Sequence, residues 1–509
     1  MTQMNRPIKR ISIAVLVMFV VLLVNVNYLQ AVEAPSLANR PLNDRSEYNQ
    51  NRVQRGNIVT ADGVTIASSK ASTGLFQWQR IYSNGPVYAP VTGYDTVFTQ
   101  AQAPNYATGV ERAENALLTG TGSELAFRNF IDTITNKPQK GADVQLTINS
   151  KAQETAYQQL AATLGGKTIN GKQQVGGVVA INPSTGAILA MASYPSYDPN
   201  QLAVHDTPKL NTVVTQLSAK SPSPLLNNAT QTTLPPGSTF KIVTSSAWYT
   251  QDSTRNPDTV VDSPQPLTLP NGNALNNDSN EQCGTGSGKT PVVYAFAQSC
   301  NTPFAKIGIQ LGGTTIKSMA DLYGLNSSLD IPGVTAAKSN FTAESDKSFT
   351  AYDAIGQHDT TVTPLQEAMF AATVANGGTL MKPYLIQQVT ASDLSVVQQT
   401  QAQQLSQPIS ATVAGYEKTM MTNVVQAPEG TGNAFNANNE GGLVIAGKTG
   451  TAQTTTSSSP DAVFTAFAPA DNPKIAVGVM IQGGGYGAAA AAPIAVAVIK
   501  AYLATLGNQ

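Results

Sequence analysis

LPPGSTFKIVT, residues 234–244, sets two prolines and a glycine directly before Ser238, with Lys241 three residues further on. After so hard a backbone break, Ser238 stands where a helix N-cap is expected, and a solvated Lys241 completes an ordinary capped helix. The same four residues also bring an amine within one helical turn of a hydroxyl, as a nucleophile and its base require. Taken alone, the tetrapeptide is more simply a cap. The rest of the chain decides between the two readings.

The 509 residues are enough for two or three domains with a sizeable core. Net charge is −1 and only 12% of residues are charged, with no basic stripe or acidic tail, so nucleic acid is not an expected partner. The two histidines, His205 and His358, and the two cysteines, Cys283 and Cys300, lack metal-ligand spacing, and no metal or cofactor is expected. A Ser-His-Asp hydrolase would need one of those histidines and a G-x-S-x-G elbow, which is missing. Each histidine therefore reads as structural or solvent-facing.

Location is read from the first thirty residues. Arg6, Lys9 and Arg10 precede an apolar run from Ile11 to Leu29, broken only by Ser12, Asn25 and Asn27. Such a run spans roughly 28 Å as a helix, close to the hydrocarbon thickness of a bilayer. A cleaved signal peptide is the competing reading. Its nearest cleavage pattern, Val32-Glu-Ala34, is followed by Pro35, which disfavours cutting, and no cysteine lies nearby to take a lipid. The positive-inside rule then puts residues from about 31 onward outside the cytoplasm.

Three segments are expected: residues 1–30 as tail and transmembrane anchor, 31–145 as a small irregular non-catalytic module, and 146–509 as the main domain. In the module, RGNIVTADGVTIASS (55–69) predicts two strands meeting at Asp62-Gly63, and GVERAENALLTG (109–120) a short helix. A strand over Val144–Ile148 and a helix from Ser150 mark the change of region. GGVVAINPSTGAILAMAS (176–193) predicts two strands about a turn, and VTPLQEAMFAATVANGG (362–378) a helix opened by Pro364 and closed by two glycines. AGKTGTAQ, AVFTAFAPA and KIAVGVMIQ predict an antiparallel meander, and an apolar helix entered at Pro493 follows. Strands from both ends of this region with helices between them give an α+β fold, an antiparallel sheet flanked by helices. TTTSSSP (454–460) reads as a flexible polar turn. CGTGSGKT (283–290) resembles a phosphate-binding loop, but Cys283 stands where its first glycine belongs and no buried strand precedes it.

The opening ambiguity is answered by order. Ser238-x-x-Lys241 is followed by Ser299-Cys300-Asn301 and then by Lys448-Thr449-Gly450, the last on a predicted strand. Each motif is weak alone. Together, behind an apolar anchor, they match the serine, S-x-N and K-T-G set of penicillin-recognising acyl-transfer enzymes. LPPGSTFK, QSCNTPFAKIG, VTPLQEAMFAATVANGG, MKPYLI and AGKTGTAQ extend the match over residues 145–505. The chain resembles the class B penicillin-binding proteins, and among them the short penicillin-binding protein A type of actinobacteria. Residues 55–67 resemble that family's N-terminal RG…G…LA signature. Thr60 and Ala61 stand where an Asp-Arg pair is common, which puts the family's ion pairs in this module in doubt.

The resemblance implies a peptidoglycan D,D-transpeptidase, blocked covalently by β-lactams, whose donor is a stem peptide ending in D-Ala-D-Ala. It gives Ser238 as nucleophile and Lys241 as its base. A free lysine, pKa about 10.4, cannot act so at neutral pH, but burial and a second cation such as Lys448 favour the neutral amine. Oxyanion donors are the backbone N–H groups of Ser238 and Thr451. Ser299 takes part in proton transfer to the leaving group, and Asn301 binds the substrate amide. Lys448, Thr449 and Thr451 hold a carboxylate, while Gly450 leaves room for the substrate backbone. Expected partners are the membrane and cell-division or glycan-polymerising proteins, with a leaning to division. Transglycosylase activity is not expected, since the 31–145 segment reads as too small for that domain, and repeat modules after the main domain are not expected either.

Two alternatives stay open: a β-lactamase and a non-catalytic scaffold. A class A β-lactamase needs a Glu with an Asn four residues on, between the second and third motifs. One pair with that spacing, Glu111 and Asn115, precedes the serine and lies in the front module. A disulfide between Cys283 and Cys300 is expected on separate grounds: they are the only cysteines, an even number, in a region expected to face an oxidising compartment. Closing such a loop contributes on the order of 3 kcal/mol. Two buried free thiols are the alternative.

Overall fold

The computed structural model describes residues 5–33, 53–73, 76–96, 108–125, 128, 134–135, 139–435, 442–453 and 459–507. The polar turn expected at 454–460 falls mostly outside them, as does the start of the front module.

Five strands form the central sheet in the order Ala446–Ala452, Asp461–Ala468, Ile475–Ile481, Gly176–Ile181, Ile188–Tyr194, all antiparallel. The late meander thus pairs with the early hairpin, closing the domain end to end. These strands are apolar at successive positions because both faces are covered. Ala462, Phe464 and Ala466 pack with the helices Ser150–Leu164 and Ala492–Leu506, while Val463 and Phe467 face the opposite core. There the helix Pro364–Ala375 lies across the strands, its first turn capped by Thr363. It approaches closely because Gly478 carries no side chain: a Cβ there would meet the Ala368 amide nitrogen and the Pro364 carbonyl at 2.4 Å.

The front module is more regular than its sequence suggests. Its strands Ile58–Val59, Thr65–Ala71, Trp78–Tyr82 and Asp143–Leu146 join Ile386–Thr390 and Val396–Gln399 in one six-stranded sheet. Backbone pairing between Asp143–Leu146 and Ile386–Thr390 therefore crosses the division expected at 145. The expected turn at Asp62-Gly63 has a further task. The Asp62 carboxylate accepts hydrogen bonds from the Ser150 amide (3.0 Å) and hydroxyl (2.5 Å), tying the hairpin to the first turn of the next helix.

The module's interior holds an ion cluster. Glu111, fully buried, accepts from Arg55 Nε at 2.7 Å and Arg80 Nε at 2.6 Å, and Asp95 stands 3.6 Å from Arg55. The doubt raised by Thr60-Ala61 is thus answered by other residues: ion pairing in this module runs through Arg55, Arg80 and Glu111.

At the other extreme, Asn5–Tyr28 is one helix whose side chains from Ile8 to Tyr28 are all exposed, with mean hydropathy 2.4 over an 18-residue window within it. A second apolar stretch, Gly487–Leu506, is 44% buried and is accounted for by its packing on the sheet.

Candidate active site

Ser238 is not the cap of an α-helix. It lies in a 3₁₀ turn, Gly237–Phe240, that runs into the helix Lys241–Gln251. In a 3₁₀ turn residues i and i+3 eclipse, which brings the lysine over the serine more directly than an α-turn does. Gly237 makes this possible with φ +56°, a left-handed value, and its amide donates to the Gly356 carbonyl at 2.8 Å.

Lys241 is fully buried. Its Nζ lies 2.9 Å from Ser238 Oγ, 2.7 Å from the Ser299 carbonyl and 2.9 Å from Asn301 Oδ1. The carbonyl and the amide oxygen can only accept, so they take two N–H groups. Of the three partners only the Ser238 hydroxyl has a proton to give, and a neutral amine has one lone pair left to receive it. Desolvation, followed by the charge of Lys448, holds the Lys241 amine well below its ordinary value, against a smaller opposing pull from Asp278.

Ser299 serves both lysines. Its φ of +61° is rare for a residue with a side chain and costs on the order of 1 kcal/mol or more. In exchange its carbonyl faces Lys241 while its hydroxyl accepts from Lys448 Nζ at 2.7 Å. Asn301 opens the helix Asn301–Leu311, and its amide oxygen is directed at Lys241. Asn277, which no motif marked, secures that opening by accepting from the amides of Asn301 (2.8 Å) and Thr302 (2.9 Å). A disulfide joins Cys283 to Cys300, with Cα atoms 5.9 Å apart, so the S-x-N turn is tied to the glycine-rich loop that begins at Cys283.

The strand Ala446–Ala452 is the edge of the central sheet, and its free side faces the Ser238 turn. Lys448 is fully buried and pushed down to about 7 by desolvation. Thr449 and Thr451 alternate with it along the strand. Thr449 Oγ1 is 2.5 Å from Thr431 Oγ1, a contact that sequence reading missed because Thr431 lies in an unremarkable loop. Gly450 has a second neighbour that the motif does not announce. A Cβ there would come within 2.6 Å of the Pro236 carbonyl, so its missing side chain admits the nucleophile turn itself.

The three motifs, separated by about 60 and 150 residues, therefore share one cluster. The rival Glu111 and Asn115 do not join it: Asn115 Oδ1 accepts from Arg55 at 2.7 Å inside the front module's ion cluster. Of the histidines, His205 packs against the Phe76 ring and His358 stacks on Phe349 and pairs with Asp353. Glu344, His358 and Asp359 bring potential ligand atoms within 4.8 Å of one another, but such exposed groups commonly cluster without an ion.

The family described as "Penicillin binding protein transpeptidase domain" matches residues 176–500. The chain belongs to this family. A second family, "Penicillin binding protein A dimerisation domain", matches residues 55–144, the front module's sheet. Among curated relatives, Peptidoglycan D,D-transpeptidase PbpA of Mycolicibacterium smegmatis is 36% identical over 98% of this chain and 99% of its own. Its Mycobacterium tuberculosis counterpart has the same identity and coverage. Among solved structures, penicillin-binding protein A from M. tuberculosis as an imipenem acyl-enzyme complex is 35% identical with TM-score 0.81, covering 90% of this chain and 100% of that one. Its penicillin G acyl-enzyme complex is 35% identical with TM-score 0.80, covering 89% and 100%.

Proposed function

We propose that this chain, a penicillin-binding transpeptidase, cross-links peptidoglycan stem peptides through an acyl-enzyme on Ser238. The observation that carries the reading is the accounting at Lys241: a buried amine with two acceptors and one hydroxyl. Ser238 Oγ attacks the carbonyl carbon of the penultimate D-Ala as its proton passes to Lys241. Backbone N–H groups of Ser238 and Thr451 receive the oxyanion. The C–N bond then breaks, the departing D-Ala amine takes a proton by way of Ser299, and an ester remains. A neutral acceptor amine from a neighbouring strand attacks that ester and gives a proton to Lys241. As the new amide forms and the ester C–O bond breaks, Lys241 returns a proton to Ser238 Oγ. Lys448, Thr449 and Thr451 bind the donor's terminal carboxylate, and Asn301, besides holding Lys241, meets its amide. Every step uses side chains or backbone of this chain.

The relatives' names support the substrate class. The test is to supply a peptide ending in D-Ala-D-Ala with an amine acceptor. Free D-Ala and a joined product should appear together. Rapid multiple turnover of penicillin with neither product would favour the β-lactamase reading.

We place the catalytic part outside the cytoplasmic membrane, tethered by residues 11–29. The exposed apolar helix and the basic residues before it support this. Protease added to intact spheroplasts should digest the domain. Protection until lysis would overturn the topology. A role in cell division, beside division or glycan-polymerising proteins, is the accompanying reading and rests on likeness to the short family members.

A further inference from the structure

Glu367 lies on the helix Pro364–Ala375, fully buried behind the Ser238 turn. Its Oε1 is 2.7 Å from Thr239 Oγ1, and Thr239 Oγ1 is also 2.9 Å from the Pro236 carbonyl. Thr239 has one hydroxyl proton, and two acceptors compete for it if Glu367 is ionised. The carbonyl cannot donate. Both contacts are satisfied only if Thr239 gives its proton to Pro236 and receives one from the carboxyl group. Glu367 Oε2 has no hydrogen-bond partner among the described residues, which a neutral acid tolerates far better than a buried carboxylate. Desolvation pushes Glu367 up to about 8, in agreement.

The chain of bonds ends at the cleft. The Pro236 carbonyl and the Thr239 methyl, together with the Val463 Cβ, fill the space beside Gly450, at 2.6, 3.1 and 3.0 Å from where its Cβ would be. The opposite end of Glu367 is also held: its backbone carbonyl accepts from Thr465 Oγ1 at 2.5 Å, and Thr465 pairs with Lys448 across the sheet. One buried residue thus ties the nucleophile turn and the neighbour of the K-T-G strand to a single helix.

We propose that Glu367 is a positioning residue of the transpeptidase reaction: as a hydrogen-bond donor to Thr239 it sets the spacing between the Ser238 turn and the Lys448–Thr451 strand. That spacing separates the two backbone N–H groups that receive the oxyanion, so the inference rests on the serine acyl-enzyme reading above. Small displacements there are costly to the chemical step.

The test measures acylation of the full chain by a fluorescent penicillin, resolved into the binding constant and the first-order acylation step, alongside thermal melting. Glu367→Gln keeps a donor and should acylate within about threefold of wild type, a geometric loss far below that of misplacement. Glu367→Met fills the same space without one, and its acylation step should fall roughly ten- to a hundredfold with binding little changed. Its melting temperature should equal or exceed wild type, since an apolar replacement removes an under-satisfied carboxyl group. Thr239→Val breaks the same link at the next atom, should show the same loss, and serves if the Met variant does not fold. Wild-type acylation in the Met or Val variant, or equal slowness of the Gln and Met variants, would remove the proposal and leave the serine reading standing. A wild type that never acylates removes both.

Discussion

Incubated with penicillin, the wild-type chain should gain the whole mass of the drug once, and Ser238→Ala should gain nothing. The amide bond that Ser238 would break lies within the lactam ring, so the amine it frees stays attached and no fragment departs. Among the described residues, Ser238 is the one hydroxyl hydrogen-bonded to the depressed amine of Lys241, at 2.9 Å. The adduct should persist for many turnovers of a β-lactamase. Hydrolysis needs a base to activate water. Glu111, with an Asn four residues on, is locked between Arg55 and Arg80 in the front module. Glu429 has the same spacing to Asn433, but Asn433 turns its amide to the Gln426 and Ala427 carbonyls. Substituting an inert methyl for the nucleophile leaves Lys241 and Lys448 in place, so loss of the adduct reports on Ser238 alone. Intact mass spectrometry before and after incubation reads both results. An adduct on Ser238→Ala, or rapid disappearance of penicillin without one on the wild type, would falsify the assignment.

The sheet was legible because its strands carry their own evidence. GGVVAI and AVFTAFA are apolar runs bounded by turn residues, and Gly176–Ile181 and Asp461–Ala468 are interior strands that flank Ile475–Ile481. The three motifs were legible because acyl transfer constrains residue type at short spacing. What escaped was whatever depends on residues far apart. Asn277 caps a helix that begins 24 residues later, and Thr431 reaches Thr449 from another loop. Neither contact has a local signature. The front module read as irregular because its strands are short and polar, and two members of its sheet come from residues 386–399. The Pro236 contact of Gly450 escaped for a related reason: a missing side chain says that something approaches, not what. Here the approaching group is the Pro236 carbonyl.

Lys241→Ala should lower the rate of penicillin acylation by roughly 10²–10⁴-fold, the usual contribution of a positioned base. Lys448→Ala should retain the reaction but need roughly ten- to a hundredfold more penicillin, the cost of losing a charged contact to its carboxylate. Their pH profiles separate the roles further. The reactive form of Lys241 is the neutral amine, so the wild-type rate should fall as pH drops and the amine takes up a proton. Lys448 is held near 7 by burial, so the acid limb belongs to the pair. Removing Lys448 deletes the second-largest influence that lowers Lys241. Lys241 then keeps its proton to higher pH, and the acid limb should move upward. Stability moves in a related direction. A lysine whose folded value is depressed binds its proton more readily when unfolded. The wild type should therefore gain stability with rising pH between about 7, the Lys448 value, and the free-lysine value of about 10.4. Lys448→Ala should flatten that rise. Acylation of Lys241→Ala at the wild-type rate would take the base role from lysine. An acid limb that stays put in Lys448→Ala would show that the two amines do not sense each other across the Ser299 side chain and carbonyl that they share.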